Sequence, residues 1–422
     1  IPVMPRMTAQ DYQAFDALFA LSSSIGATPA GGLYRLTASA ADKQMRDAFC
    51  TWLTQQGFHV HVDEIGNIFG LMTLCEGAPW VLCGSHLDSQ PLGGRFDGAY
   101  GVTAAAVTIA TLARQLRDHS QTAQRNLAVV NWTNEEGARF QPSLTGSSVF
   151  TGALSLEQAL ACCDGEGISL QTALQNIGYR GTALPDLTVA AYCELHVEQG
   201  PHLELQQKQI GVVTETWAAL KWQVTFRGEQ NHTGPALMDR RRDALLAAAH
   251  TIVAVRAEAE RYGEALHTSV GRLETVPNSP NVVTSEATLF IEFRSTDEAL
   301  LRQLRDTFGQ QMQSIAQNTA TDVSLDRAQY RPRQQLHSAL SDLALAQAEK
   351  LGLKATPMRS VAGHDAISMS YHCPSALLFV PSVDGLSHNE REFTATADLY
   401  RGLDMLMAML TELCLKGEDA LC

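Results

Sequence analysis

Trp80-Val81-Leu82-Cys83-Gly84-Ser85-His86-Leu87-Asp88 and Leu127-Ala128-Val129-Val130-Asn131-Trp132-Thr133-Asn134-Glu135-Glu136 are two short apolar runs. Each runs directly into side chains that can bind a cation. Runs this short, with no polar alternation, read as strands buried on both faces, the pattern of a parallel sheet. Between them, Ala99 to Leu116 is a small-residue helix able to pack closely on such a sheet. Upstream, Ala9 to Leu21 and Ala38 to Gln56 carry apolar residues at helical spacing, and Gly57 stops the second. Alternation then begins at Phe58, Val60 and Val62. Strand and helix alternate, which predicts an α/β fold with a mostly parallel sheet. In such sheets ligands bind beyond the carboxyl ends of the strands, and His86 and Glu135-Glu136 stand at two such ends.

A second unit is expected from residue 211 to 327, inserted into a larger domain made of residues 1–210 and 328–422. Lys221 to Phe226 alternates as a strand, and Asp239 to Tyr262 is a long Ala-rich helix. His267 to Leu273 and Val282 to Arg294 read as strands, Asp297 to Ile315 as a helix, and Val323-Ser324-Leu325 as a short last strand. The order β-α-β-β-α-β is that of a ferredoxin-like α+β domain. The polar stretch Arg327 to Gln335 reads as the linker back. A helix from Ala339, a strand from Ser375 to Val380 and a helix from Thr396 complete the larger domain.

The bulk properties narrow the function classes. A chain of 422 residues, 45% hydrophobic and 18% charged, is of ordinary globular composition and long enough for two domains. A net charge of −14 argues against nucleic acid or an anionic membrane as partner. No apolar run is long enough to span a bilayer. The nine cysteines form no Cys-x-x-Cys pair, which points to a reduced, cytoplasmic setting. The start, Ile1-Pro2-Val3-Met4-Pro5-Arg6, has neither an initiator Met nor a signal-peptide core, so the first residues of the gene product are expected to be missing.

Five residues of metal-binding type recur in self-consistent settings: His86, Asp97, Glu136, His196 and His388. Each has an ordinary structural alternative. His86 could be a loop histidine satisfied locally, but Asp88 two residues on could orient its ring. Asp97, in Gly93-Gly94-Arg95-Phe96-Asp97-Gly98, could simply cap the next helix. A carboxylate flanked by glycines could equally approach and bridge two ions. Glu135-Glu136 could be a solvated pair. At the end of a buried strand, however, adjacent carboxylates repel unless cations or protons compensate, and one ligand beside one free carboxylate supplies a general base. His196 points opposite to Ala191, Cys193, Leu195 and Val197. His388 lies in Gly385-Leu386-Ser387-His388-Asn389-Glu390, and neither His196 nor His388 is a motif by spacing alone. No cysteine lies in these segments, so mixed His/carboxylate sites for Zn, Mn, Co or Ni are expected. Together they read as a two-metal hydrolase.

Gly84-Ser85-His86-Leu87-Asp88, Asn134-Glu135-Glu136-Gly137-Ala138-Arg139-Phe140, Glu194-Leu195-His196-Val197-Glu198-Gln199-Gly200-Pro201 and Ser387-His388-Asn389 occur in this order. With them the chain, from about Gly31 to its last helix, resembles the hydantoinase/carbamoylase branch of the dinuclear-zinc aminoacylase and aminopeptidase superfamily. That branch comprises N-carbamoyl-L-amino-acid hydrolases, β-ureidopropionases and allantoate amidohydrolases. The resemblance implies two divalent metal ions, zinc first. His86 and His196 would hold one, Glu136 and His388 the other, and Asp97 would bridge. Glu135 would move the proton from water to the leaving nitrogen, and Asp88 would orient His86. Asn231-His232 matches a pair whose His reaches the substrate carbonyl from a neighbouring subunit, which implies a homodimer. Asn281 and Arg294 match residues that hold the substrate carboxylate, and Gln199 and His364 match further pocket positions.

Two strings depart from the branch pattern. His232-Thr233-Gly234-Pro235-Ala236-Leu237-Met238 lacks the paired threonines that usually follow the histidine, and Val361 stands where glycine is usual. The expected activity is hydrolysis of an N-carbamoyl amino acid, L-α or β, with allantoate or another ureido acid as the runner-up substrate. Weaker alternatives are an N-acyl or peptide substrate and a binding protein without turnover. The last would be expected to lack Glu135 or a metal ligand, and the sequence retains all of them.

Overall fold

The computed structural model describes residues 4–421. Ile1-Pro2-Val3, part of the start read as truncated, lies outside the described residues, as does Cys422. The chain divides into two units: one runs up to Thr214 and resumes at Gln335, the other is Glu215–Gln334.

Four parallel strands form the middle of the large unit's sheet. In spatial order they are Asn126–Asn131, Trp80–Ser85, Val189–Val197 and Ser375–Val380. Antiparallel strands Ile68–Met72 and His59–Val62 extend one side, and Ile210–Thr216 pairs antiparallel on the other. The apolar runs lack alternation because both faces are covered. Val81, Cys83, Leu127, Val129, Cys193, Leu195 and Leu378 enter one core with the helices Ala99–Asp118 and Thr396–Lys416. Leu82, Ala128, Val130, Tyr192, Leu377 and Phe379 enter a second core with Phe69, Trp132 and Met369. The helix Ala99–Asp118 can lie directly on the sheet because its contact residues are small. A Cβ on Gly101 would stand 2.3 Å from the carbonyl oxygen of Leu195, on the strand that carries His196.

The small unit is a four-stranded antiparallel sheet. Its spatial order is Asp322–Arg331, Ala218–Arg227, Glu286–Ser295 and His267–Val276. The helices Ala244–Tyr262 and Glu298–Asn318 pack on one face around Trp222, Phe293 and Phe308. Burying each such side chain contributes about 1.5–3 kcal/mol. Two expectations shift here. The strand expected to stop at Leu325 continues to Arg331, so most of the segment read as a linker is strand. The chain leaves the large unit after Thr214 and returns to it at Gln335. The helix expected from Asp239 begins at Ala244, capped by the Asp243 side chain, after a short 3-10 turn at Met238–Arg240.

On the other face of this sheet Glu292 is held by Lys221 at 3.1 Å and by Arg294 at 3.1 Å. Burial works against its ionised form, but the Arg294 and Lys221 cations overcome it and hold the carboxyl near about 2, below the usual 4.5. A depressed acid contributes stability that is complete above the ordinary value and is lost as pH falls through 4.5 towards 2. Melting temperatures between pH 6 and 3 are therefore expected to fall less steeply for Glu292→Gln than for the native chain. Parallel curves would show that this cluster is not linked to folding.

Candidate active site

All four parallel strands deliver polar residues at their carboxyl ends. Trp80–Ser85 leads into His86, Asn126–Asn131 into Glu135 and Glu136, and Ser375–Val380 into the loop of His388. His196 sits in the last turns of Val189–Val197, paired in register with Phe379. Asp97 ends the glycine-rich loop before the helix Ala99–Asp118. Gly98 makes that turn possible: its φ is +76°, and a Cβ there would lie 2.3 Å from the His86 ring.

These side chains converge. Asp97 Oδ1 lies 3.2 Å from His86 Nε2 and 3.1 Å from His196 Nε2. Asp97 Oδ2 lies 3.1 Å from His388 Nε2, which is 3.3 Å from Glu136 Oε2. Glu135 Oε2 is 3.2 Å and Glu136 Oε1 3.7 Å from His86 Nε2. Among the described residues, three groups have ligand atoms close enough to share an ion: His86, Asp97 and His196; His86, Glu135 and Glu136; Asp97, Glu136 and His388.

Hydrogen bonding fixes which ring nitrogen faces the cluster. His86 Nδ1 is 2.9 Å from the carbonyl oxygen of Asp88, and His196 Nδ1 is 2.8 Å from that of Val197. A carbonyl can only accept, so both Nδ1 atoms carry hydrogen and donate. In a neutral ring each Nε2 then turns a lone pair on carboxylate oxygens. Lone pair against lone pair is repulsive unless a proton or a cation stands between them. His86 Nε2 is fully buried and has no hydrogen-bond partner. Among the described residues, the groups paired with Asp97, Glu135 and Glu136 that can become cationic are His86, His196 and His388. This donor set fits divalent cations: neutral imidazole nitrogens and carboxylate oxygens, with no thiolate.

The electrostatics express the same crowding. Burial pushes the Glu135 carboxyl well above the usual carboxylate range, with Asp365, Asp97 and Asp88 adding to it against the pull of His86. Glu136 moves the same way, by burial and then by Asp97 and Glu135. Burial alone would depress His86, but the carboxylates of Glu135, Asp88 and Asp97 around it carry it well above its ordinary value.

Asp88 does more than orient His86. Its main-chain oxygen takes the ring hydrogen, with Oδ1 only a second contact at 3.5 Å. Its carboxylate accepts the main-chain N–H groups of Glu135 at 3.3 Å and Glu136 at 3.1 Å. The turn after one strand thereby holds the turn after its neighbour. Gln199 Nε2 donates to Asp97 Oδ2 at 3.0 Å, and the His364 ring stands 4.5 Å from that of His196.

The remaining candidates belong to the small unit. Asn231-His232 pairs with Val282-Val283, and Thr233 N donates to the carbonyl of Asn281, so His232 and Asn281 are neighbours. His232 is exposed, and its Nδ1 accepts the N–H of Gly234 at 3.0 Å. A neutral ring held this way presents Nε2–H as a donor. Arg294 lies on a different strand, in its pair with Glu292.

Sequence reasoning missed several groups around the cluster. Glu194 is fully buried and accepts from Ser85 Oγ, Tyr192 OH and Ala366 N. It shares strand parity with His196, a signal that could have exposed it. Gln90 donates to Glu136 Oε2 at 2.7 Å. Asp365 accepts from Ser147 Oγ at 2.7 Å. Glu392 is buried against Asp97, in a stretch, Asn389-Glu390-Arg391-Glu392, that reads as solvated loop.

The model of peptidase family M20/M25/M40 matches residues 82–412. A protein of Mycolicibacterium smegmatis, named only by inference as a hydrolase, is 43% identical over 99% of this chain and 96% of its own. The N-carbamoyl-L-amino-acid amidohydrolase of Rhizobium meliloti is 34% identical over 94% of this chain and 95% of its own. The allantoate amidohydrolase of Escherichia coli is 32% identical over 95% and 98%. A crystal structure of a hydantoinase/carbamoylase family amidase from Burkholderia vietnamiensis superposes with a TM-score of 0.91. That amidase is 36% identical and covers 97% of this chain and 98% of its own. No helix among the described residues is long and apolar enough to cross a membrane. The chain belongs to peptidase family M20/M25/M40, in its hydantoinase/carbamoylase branch, and is a metal-dependent hydrolase of non-peptide C–N bonds.

Proposed function

We propose that the chain hydrolyses the ureido C–N bond of an N-carbamoyl amino acid, α or β, to the amino acid, carbon dioxide and ammonia. The observation that carries this reading is the division of the Asp97 carboxylate, with Oδ1 towards His86 and His196 and Oδ2 towards His388 beside Glu136. It supports two divalent cations, one held by His86 and His196, the other by Glu136 and His388, with Asp97 shared. Zinc suits these ligands, as do Mn, Co and Ni. When bound, such a pair supplies water that ionises near neutral pH and polarises the substrate carbonyl.

The chain's own groups divide the remaining work. Water oxygen bonds to the ureido carbon, the C–NH2 bond breaks, ammonia leaves, and the resulting carbamate loses carbon dioxide. Glu135 takes the water proton and returns it to the departing nitrogen. A buried carboxyl whose proton affinity is raised is suited to hold that proton between the two steps. His232 directs Nε2–H at the carbonyl oxygen, where charge grows only in the transition state. In this reading the protein is a homodimer and His232 serves the neighbour's site. Asn281 and Arg294 hold the substrate carboxylate, Arg294 with the planar fork that matches it, and Gln199 and His364 line the pocket.

Ammonia release decides the substrate. The panel is a set of N-carbamoyl-L- and D-amino acids, N-carbamoyl-β-alanine and allantoate, each tested after chelation and again after Zn or Mn is restored. Metal-restored turnover is expected on an N-carbamoyl amino acid. Turnover on allantoate alone would move the assignment to the other relative, and turnover on none would overturn the ureido-acid reading. Glu135→Gln is expected to lower kcat by about 10²- to 10⁴-fold, the usual weight of a general base, while metal content stays unchanged. Loss of metal in that variant would make Glu135 a ligand instead.

A further inference from the structure

Glu392 is 3% exposed and lies in the loop that follows His388. Its Oε1 accepts the main-chain N–H groups of Phe96 at 3.2 Å and Asp97 at 2.9 Å. Its Oε2 accepts the Ser387 hydroxyl at 2.8 Å. Ser387 Oγ accepts Gln199 Nε2 at 2.9 Å, and the same Nε2 donates to Asp97 Oδ2 at 3.0 Å. The contacts close a ring that begins at the Asp97 main chain and ends at the Asp97 carboxylate. Room for it depends on Gly94, where a Cβ would lie 2.2 Å from Glu392 Oε1.

The ring has a direction. Gln199 gives hydrogens to both Asp97 and Ser387, so the Ser387 hydroxyl has its own hydrogen left for Glu392. The last member must therefore accept at both oxygens, once from main-chain N–H groups and once from the hydroxyl. A carboxylate does so; an amide at 392 would keep the main-chain bonds through its oxygen but turn an N–H on Ser387. Taking a carboxylate out of water is costly, and a surface loop has no structural need to do it. The arrangement is intelligible if the ring sets the geometry of Asp97 and of His388, which is joined directly to Ser387.

We propose that Glu392 is a positioning residue for the cation pair: through Ser387 and Gln199 it fixes the direction of the Asp97 carboxylate and the place of His388. The assignment rests on the two-metal reading above. It makes Gln199 a member of the metal scaffold in addition to any contact with substrate.

The test is titration of the metal-free protein with Co2+. Uptake is followed by equilibrium dialysis and by visible absorption, alongside melting of the metal-free form. The native chain is expected to take up two equivalents. Glu392→Gln is expected to weaken at least one uptake step by about 10- to 100-fold, the usual effect of losing an outer partner of a ligand. Its Co2+ absorption should also shift, while the metal-free melting temperature stays near native. Ser387→Ala, which removes one hydroxyl and is expected to fold whatever Glu392→Gln does, should weaken uptake in the same direction. Native uptake of two equivalents with unaltered affinity in both variants would overturn the positioning role. Failure of the native chain to bind a second equivalent would instead overturn the two-metal reading, and this assignment with it.

Discussion

Everything around the candidate site answers to one electrostatic constraint: carboxylates are gathered where water cannot solvate them. Asp88, Asp97, Glu135, Glu194, Asp365 and Glu392 are buried, and the Glu136 side chain is 3% exposed. Left to themselves such groups would protonate or repel, and the upward shifts of Glu135, Glu136 and Asp365 record that tendency. The fold does not relieve it with arginine or lysine at the centre. It surrounds the central three with His388 and with His86 and His196, whose Nδ1 hydrogens are already committed to carbonyls, so that the lone pairs of these two point inward. The cluster is therefore unfavourable for the chain alone and favourable around divalent cations. Part of the cation binding energy is then folding energy, as expected where ligands are held in a strained, desolvated set.

That arrangement needs rigid delivery, and the parallel sheet provides it. Four adjacent strands end at one edge, so residues far apart in sequence arrive within hydrogen-bond distance. The turns are then tied to each other rather than to solvent. Asp88 clamps the Glu135-Glu136 main chain, and Arg35, wholly buried, donates to the carbonyl of Leu87 and to those of Ser22 and Ile25. Asn131 accepts the N–H of Leu87 at 2.8 Å, joining the ends of two neighbouring strands. Ligand geometry is thus set by main-chain contacts between loops, which tolerate little drift.

The same logic explains what could be read from sequence. Strand ends announce themselves, so His86 and Glu135-Glu136 were legible from apolar runs that stop at polar residues. Parity set His196 opposite the apolar side chains of its strand, and the resemblance made it a ligand. Asp97 was ambiguous, because Asp97-Gly98 before a helix also describes a cap; in the structure its side chain makes no cap bond and faces three histidines. His388 lies in an irregular loop with φ of +52°, a conformation no periodicity reports, and only the resemblance pointed to it. Glu392 had no signal at all, since its burial comes from a loop folding over Gly94. The strand Asp322–Arg331 was cut short for a related reason. It is the edge of its sheet, and a register shift between Leu325 and Arg327 puts Ala328 and Tyr330 out of step with Val323 and Leu325, so the alternation reads as broken at Leu325.

The altered loop after His232 is held by main-chain contacts. Arg241 donates to the main-chain oxygens of Thr233 and Ala236, and Gly234 N–H holds His232 Nδ1. These bonds do not depend on which side chains occupy positions 235 to 237, so the ring is held at Nδ1 whether threonines or Pro235-Ala236-Leu237 follow. What changes is the surface offered beside it. Hydroxyls are replaced by apolar groups, and Leu237 and Met238 are 60% and 77% exposed. Were His232 to serve a substrate carbonyl as proposed, a polar substrate group placed beside it would lose water without gaining a partner.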